Sequence, residues 1–290
     1  MSVVTKMAGS AKAMLRGLKC IRHRYSLHDL KTGYEYHADC VILGTGPSLG
    51  GVLSGDRSSL AGKALFAMND FVLSDAYAEV QPQFHLFLDP TYVDKEVVEE
   101  IERQRQAVFA ALVEKTQWPL TLFVPWRARC SGMYEALVGR NSLLRLQYIN
   151  VSSVQAFRPI SFFLFRNNLG CPGIRNTMQV CIFLAINMGY QRVFLLGADH
   201  SWTQNIAVSD NNTLCIRSGY HFYDESDASM VPIIKDPVNG KAFKVHEFFS
   251  AMAETFAPYH LLNDYAKDQG CEVLNATPQS LIDAFRRISL

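Results

Sequence analysis

The chain has 290 residues, 49% of them hydrophobic, 11% aromatic and 19% charged, enough apolar material for a sizeable core in one large domain or two small ones. A formal net charge of +1 removes any whole-chain electrostatic reason to expect a nucleic-acid partner. The seven cysteines are scattered without a CxxC pair or zinc-ligand spacing and read as reduced thiols of a cytosolic protein, and no apolar run is long enough for an exported or membrane-spanning chain.

The charge is unevenly placed. Lys6, Lys12, Arg16, Lys19, Arg22 and Arg24 all precede the first acidic residue, Asp29, so residues 1–36 form a basic arm on a mildly acidic body. Within it Met7, Met14, Leu15 and Leu18 fall at roughly helical spacing. That pattern predicts an amphipathic helix, either packed on the body or in contact with anionic lipid of the inner membrane face.

From His37 onward, strand and helix patterns alternate. Apolar, β-rich runs occur at Cys40–Leu43, Ala64–Met68, Phe84–Leu88, Leu120–Val124, Leu144–Val151, Val193–Leu196 and Cys271–Leu274. Helical patterns cover Val93–Glu114, Ser131–Val138, Asn176–Met188 and His246–Gln269. Short continuous apolar strands separated by helices predict a doubly wound, mostly parallel, Rossmann-like α/β sheet with helices on both faces, a catalytic domain spanning 37–290. Between about 201 and 244 the pattern gives way to a polar stretch too long for an ordinary connection, as expected of a lid or binding loop.

In such a sheet, ligands bind beyond the carboxyl ends of the strands, so the residues directly after each strand are the informative ones. They are Gly44-Thr45-Gly46-Pro47-Ser48 after the first, Asn69-Asp70 after the second, Asp89-Pro90 after the third and Gly197-Ala198-Asp199-His200-Ser201-Trp202 after the sixth. The glycine turn suits a phosphate: Gly44 and Gly46 allow close backbone approach, Pro47 fits a first helical turn and Ser48 adds a hydroxyl beside backbone N–H groups. The alternative is a turn that uses glycine only for its shape. Neither a P-loop nor GxGxxG is present, since Arg57 and Leu49 stand where glycines would be required. A second anion-binding candidate is the start of the apolar helix, where Asn176 and Thr177 can cap and Gln179 lies at capping-box spacing from Asn176. It can equally be a capped core helix.

Taken together, GTGPSL, FAMND, FHLFLDP and NTMQVCIFLAINMGYQRVFLLGADHSW resemble the bacterial α-2,3/2,8-sialyltransferases of lipooligosaccharide synthesis. They are still more similar to the clan of motility accessory factor glycosyltransferases and pterin pyrophosphokinase-like (MptE-like) proteins. The resemblance runs from about Cys40 to Gln204 and resumes more weakly over Asn275–Phe285. It implies a CMP-activated sugar donor, a nonulosonic acid such as sialic acid, with Gly46, Pro47 and Ser48 near the phosphate, Asn69 near the nucleotide, and Thr177 beside Asn176 on the donor. Thr45 and Asp89 depart from that pattern, where the family carries Asn. The resemblance also implies a lid histidine as general base, matched by His221 between Tyr220 and Tyr223, whose hydroxyls would serve the leaving phosphate without a metal. His200, next to Asp199 at a strand end, is a rival base.

The expected function is therefore metal-independent glycosyl transfer from a CMP donor to a cell-surface glycan or glycolipid acceptor. The alternatives are a diphosphotransferase of the pterin pyrophosphokinase kind, with Asp89 and Asp199 holding Mg²⁺ over ATP, and a non-catalytic nucleotide-binding protein.

Overall fold

The structure, a computed structural model, describes residues 38–55, 57–217, 229–236 and 240–290. Short, mostly apolar runs form the strands β1 (Asp39–Leu43), β2 (Ala64–Met68), β3 (Phe84–Leu86), β4 (Leu120–Pro125) and β6 (Arg192–Leu196), and an alternating run forms β5 (Leu144–Ile149). After them come β7 (Ile206–Val208), β8 (Leu214–Arg217), β9 (Met230–Pro232), β10 (Ile234–Asp236), β11 (Lys241–Ala242), β12 (Glu272–Asn275) and β13 (Arg286–Arg287). Eight of them make one sheet in the order β13-β12-β6-β1-β2-β3-β4-β5, and every pairing in it is parallel.

The pleat divides each central strand between two cores. Cys40, Ile42, Phe66, Val193 and Leu195 face one, and Val41, Leu43, Leu65, Phe194 and Leu196 face the other. The second face is covered by α1 (Ser48–Ser54), α2 (Ala76–Val80), α3 (Pro90–Val93), α4 (Glu99–Lys115) and α5 (Met133–Val138). The first is covered by α6 (Arg158–Arg166), α7 (Thr177–Asn187) and α8 (Val245–Asp268). This is the doubly wound Rossmann-like arrangement that the alternating pattern predicts, because strands buried on both faces have no polar side to display.

The sequence-based helix at Val93–Glu114 is divided in two. Asp89 caps α3 by accepting from the Thr91 amide at 2.9 Å, and Arg105 donates to the Asp94 carbonyl at 2.7 Å, holding the chain out of helix before α4 begins. The polar stretch after β6 contains a three-stranded antiparallel sheet, β7-β8-β9, and the hairpin β10-β11. Residues 1–36, read from sequence as a basic arm, lie outside the described residues.

The helix α7 is buried along its whole first part, Thr177 to Ile186. Its capping box is complete: Asn176 Oδ1 accepts from the Gln179 amide at 3.0 Å while Gln179 Oε1 accepts from the Asn176 amide at 3.4 Å. The Gln179 side chain also donates to the Thr255 carbonyl at 2.6 Å, beside Pro258, which lies within α8 and has no N–H to offer the Glu254 carbonyl. One buried amide thus ties the start of α7 to the interrupted ladder of α8. Among the described residues no helix is long and apolar enough to cross a membrane, and none of the six described cysteines forms a disulfide with another, five of them being buried.

Candidate functional site

The strands β1 and β6 are neighbours, yet β2 to β5 extend the sheet on one side and β12 and β13 on the other. The crevice beyond the carboxyl ends of β1 and β6 is the point where the winding reverses, the standard ligand position in an open α/β sheet. The turns there are fitted to one another. Gly44 N–H donates to the Leu196 carbonyl at 2.8 Å, Gly46 N–H donates to the Gly197 carbonyl at 3.0 Å, and Gly197 adopts a φ of +63°. A methyl on Gly44 would strike the Gly197 carbonyl, and one on Gly46 would strike the Asp199 carboxylate. The glycines are needed for backbone contact within the protein.

The Asp199 carboxylate occupies the start of α1. Ser48 Oγ donates to Oδ2 at 2.8 Å and Ser48 N–H donates to Oδ1 at 3.2 Å. The sequence reading places a phosphate on the amides of this turn; in the structure those of Gly44, Gly46 and Ser48 are engaged within the chain, and an internal carboxylate already complements the helix end. The amides of Thr177 and Met178 at the start of α7 have no acceptor among the described residues. They are the orphan donors that every helix start leaves to a side chain, water or ligand.

A cavity of about 260 Å³ opens at the switch point. Its wall is made by Gly44, Thr45, Gly46 and Pro47 after β1, Asn69 and Asp89 near the ends of β2 and β3, Asn176 and Thr177 at the start of α7, and Asp199 and His200 after β6. Ser48 stands behind Asp199 as its partner and outside that lining. The sequence-predicted Tyr220, His221 and Tyr223 lie outside the described residues.

Two non-glycine residues of the wall are held in left-handed backbone, Asn69 at φ +46° and His200 at φ +52°. Such conformations persist only where neighbours over-determine them. For Asn69 these are His85, whose ring Nε2–H donates to the Asn69 carbonyl at 3.0 Å, and Thr177, whose Oγ accepts from Asn69 Nδ2 at 3.1 Å. The His85 ring is fully buried, its Nδ1 has no partner among the described residues, and burial lowers its pKa to about 4. Asp89 is exposed, with one oxygen spent on the α3 cap.

The His200 ring packs 4.4 Å from Trp202 and 5.5 Å from Tyr259, centroid to centroid. Its Nε2 lies 2.6 Å from the Tyr259 hydroxyl, which donates to Asn176 Oδ1 at 3.2 Å. Desolvation lowers the His200 pKa to about 3, so the imidazole is neutral at physiological pH, and its contacts to Asn176 and Tyr259 brace the start of α7. Both histidines have folded pKa values below the usual 6.5 of an exposed imidazole, so the unfolded chain binds more protons between those values. Their contribution to stability is full above about pH 6.5, and it is lost as pH falls toward 4 and then 3. Urea midpoints measured from pH 8 down to pH 4 should fall for the wild type, and the fall should be shallower in a His85→Phe, His200→Phe double variant.

The strand-end rule includes Trp202, which lines the cavity, but sequence pattern does not single out Arg175 and Met178, which also line it, or His85 and Tyr259, which brace it. Arg175 and Met178 are discoverable as near neighbours of Asn176 and Thr177; His85 and Tyr259 act through tertiary contacts that leave no local pattern. Among the described residues no three His, Cys, Asp or Glu side chains are grouped to hold a metal ion.

No protein-family model matches the chain, and no curated protein matches it. A solved structure that it resembles is a MAf glycosyltransferase from Magnetospirillum magneticum AMB-1, at 14% sequence identity and a TM-score of 0.50. The match covers 87% of this chain and 34% of that one, so the chain spans about a third of that protein's length. At this identity the likeness establishes a shared fold: the doubly wound sheet described above is also the framework of a glycosyltransferase.

Proposed function

We propose that the chain is a glycosyltransferase that binds a nucleotide-activated sugar in the cavity where β1 and β6 end. The observation that carries this reading is the convergence on one 260 Å³ space of a glycine turn, Asn69, Thr177 and Asp199, joined by the Asn69–Thr177 hydrogen bond. A reversed-winding crevice, strained polar residues and orphan amides together make a preformed polar ligand site. The fold shared with a glycosyltransferase points to the same class.

In this reading the donor phosphate meets the amides of Thr177 and Met178 and the Thr177 hydroxyl, at the positive end of an eleven-residue helix. Asp199, on the turn after β6, accepts from Ser48 and in this reading also accepts from hydroxyl or amino groups of the donor. The wall contains two carboxylates, Asp89 and Asp199, and a cation, Arg175, that is already paired with Glu254. A CMP-activated nonulosonic acid such as sialic acid brings one phosphate charge and one carboxylate, fewer negative charges than a triphosphate sets against that wall, and in this reading it is transferred without a metal. The acceptor hydroxyl attacks the anomeric carbon as the C–O bond to CMP breaks. His221 takes the acceptor proton, and Tyr220 and Tyr223 donate to the departing phosphate. The acceptor is a glycan or glycolipid, and the basic arm of residues 1–36 holds the enzyme at an anionic membrane face.

One observation favours a second reading: Asp89 and Asp199 share the cavity and are the ligand type that holds Mg²⁺ over ATP in a diphosphotransferase. Incubation with CMP-sialic acid, and separately with ATP, Mg²⁺ and a pterin alcohol, distinguishes the two. Release of CMP is expected; release of AMP without CMP would replace this proposal with the alternative.

A further inference from the structure

A second cavity, of about 500 Å³, adjoins the first and shares Arg175 with it. Its volume falls within the roughly 300 to 1,000 Å³ of small-molecule sites. The lining combines two kinds of surface. Ser153 and Gln155 are exposed, and neither side chain has a hydrogen-bond partner among the described residues. Ile174, Ala257 and Leu261 supply apolar surface. Between the cavities Arg175 is held by its ion pair with Glu254, which itself lines the larger space.

A hydroxyl and a primary amide each donate and accept, which is what a sugar hydroxyl also does, while aliphatic carbons suit the C–H face of a pyranose ring. No free cation lines this cavity among the described residues, so it offers little to a phosphate. Its position matters as much as its chemistry. Arg175 directly precedes Asn176 and Thr177, the residues that form the near wall of the first cavity. A ligand seated here lies against the segment that walls the first cavity.

We propose that this second cavity is the acceptor subsite and takes a neutral saccharide, an assignment that rests on reading the first cavity as the donor site. Methyl NMR on the full chain with labelled Ile, Leu and Met separates the two spaces, since Ile174 and Leu261 line the larger and Met68 and Met178 line the smaller. Lactose is the acceptor probe and CMP the donor probe. Lactose should move the Ile174 and Leu261 resonances, and CMP those of Met68 and Met178. Ser153→Ala with Gln155→Ala should weaken lactose binding roughly tenfold, the worth of one or two neutral hydrogen bonds, and leave CMP binding within about twofold. Ala257→Trp, which fills the cavity, should abolish the lactose response with the CMP response intact. Lactose that leaves Ile174 and Leu261 unmoved, or that still binds the Ala257→Trp protein, overturns the subsite. CMP that leaves Met68 and Met178 unmoved overturns the donor reading instead, whatever lactose does.

Discussion

Replacing Gly44 with alanine should lower the stability of the chain by about 3 kcal/mol, at the upper end of what overpacking a rigid contact usually costs. The added methyl would meet the Gly197 carbonyl oxygen and lie 2.8 Å from both its carbon and Met178 Cε. Neither side can give way cheaply. The strands β1 and β6 are paired in register from Asp39 opposite Arg192 to Leu43 opposite Leu196, and Gly44 N–H is itself bonded to Leu196. Gly51 is the internal control: it lies within α1, and a methyl added there would find nothing within 4 Å. Gly51→Ala should be neutral or stabilising by up to about 1 kcal/mol, because alanine is the better helix former. Urea denaturation of the two variants checks the pair, and equal effects would show that the β1 and β6 turns are not the rigid joint described.

The second large effect concerns binding. Asp199→Asn keeps the shape of the side chain and an oxygen for Ser48, but removes the charge that a donor hydroxyl or amine would meet. A hydrogen bond to a charged group contributes about 1.5 to 3 kcal/mol, so the KM for the donor should rise roughly 10- to 100-fold. The contact exists in both ground and transition state, so kcat should change less. Stability should fall by only about 1 kcal/mol, since the α1 cap survives in neutral form. A donor KM unchanged from wild type, with the same small loss of stability, would reduce Asp199 to a helix cap.

The central strands are legible in the sequence because burial on both faces makes each a short apolar run, and β2 coincides with its predicted limits, Ala64–Met68. The edges are not. The terminal strand β13 consists of two arginines, with no apolar pattern to announce it. The helix α6 carries a Phe-rich run whose period is obscured by its aromatic density, and its membership of the core is decided by packing against Phe183 and Tyr265. The hairpins after β6 read as loop because β7 and β9 are three residues each and carry exposed Val208, Met230 and Val231.

The site shows the same division. Strand-end positions follow from the rule that ligands gather beyond carboxyl ends, and Asn69, Asp89 and Asp199 are candidates on that rule alone, with Thr177 added by its place at a helix start. What the turn amides bind cannot be found that way. Ser48 and Asp199 are 151 positions apart, and only folding places a carboxylate where a phosphate would otherwise fit. The brace on Asn69 is similarly hidden, since His85 lies inside an apolar strand and reads locally as one more core residue.

A thermal-shift screen across CMP, CTP, UDP, GDP and ATP, each with and without Mg²⁺, tests most directly whether the switch-point cavity is a cytidine nucleotide site. Saturating CMP should raise the melting temperature by on the order of 5 °C without Mg²⁺, and Thr177→Val, which keeps the α7 amides but removes the hydroxyl, should clearly reduce the shift. Stabilisation by ATP only in the presence of Mg²⁺, or a CMP shift that Thr177→Val leaves intact, would contradict the account.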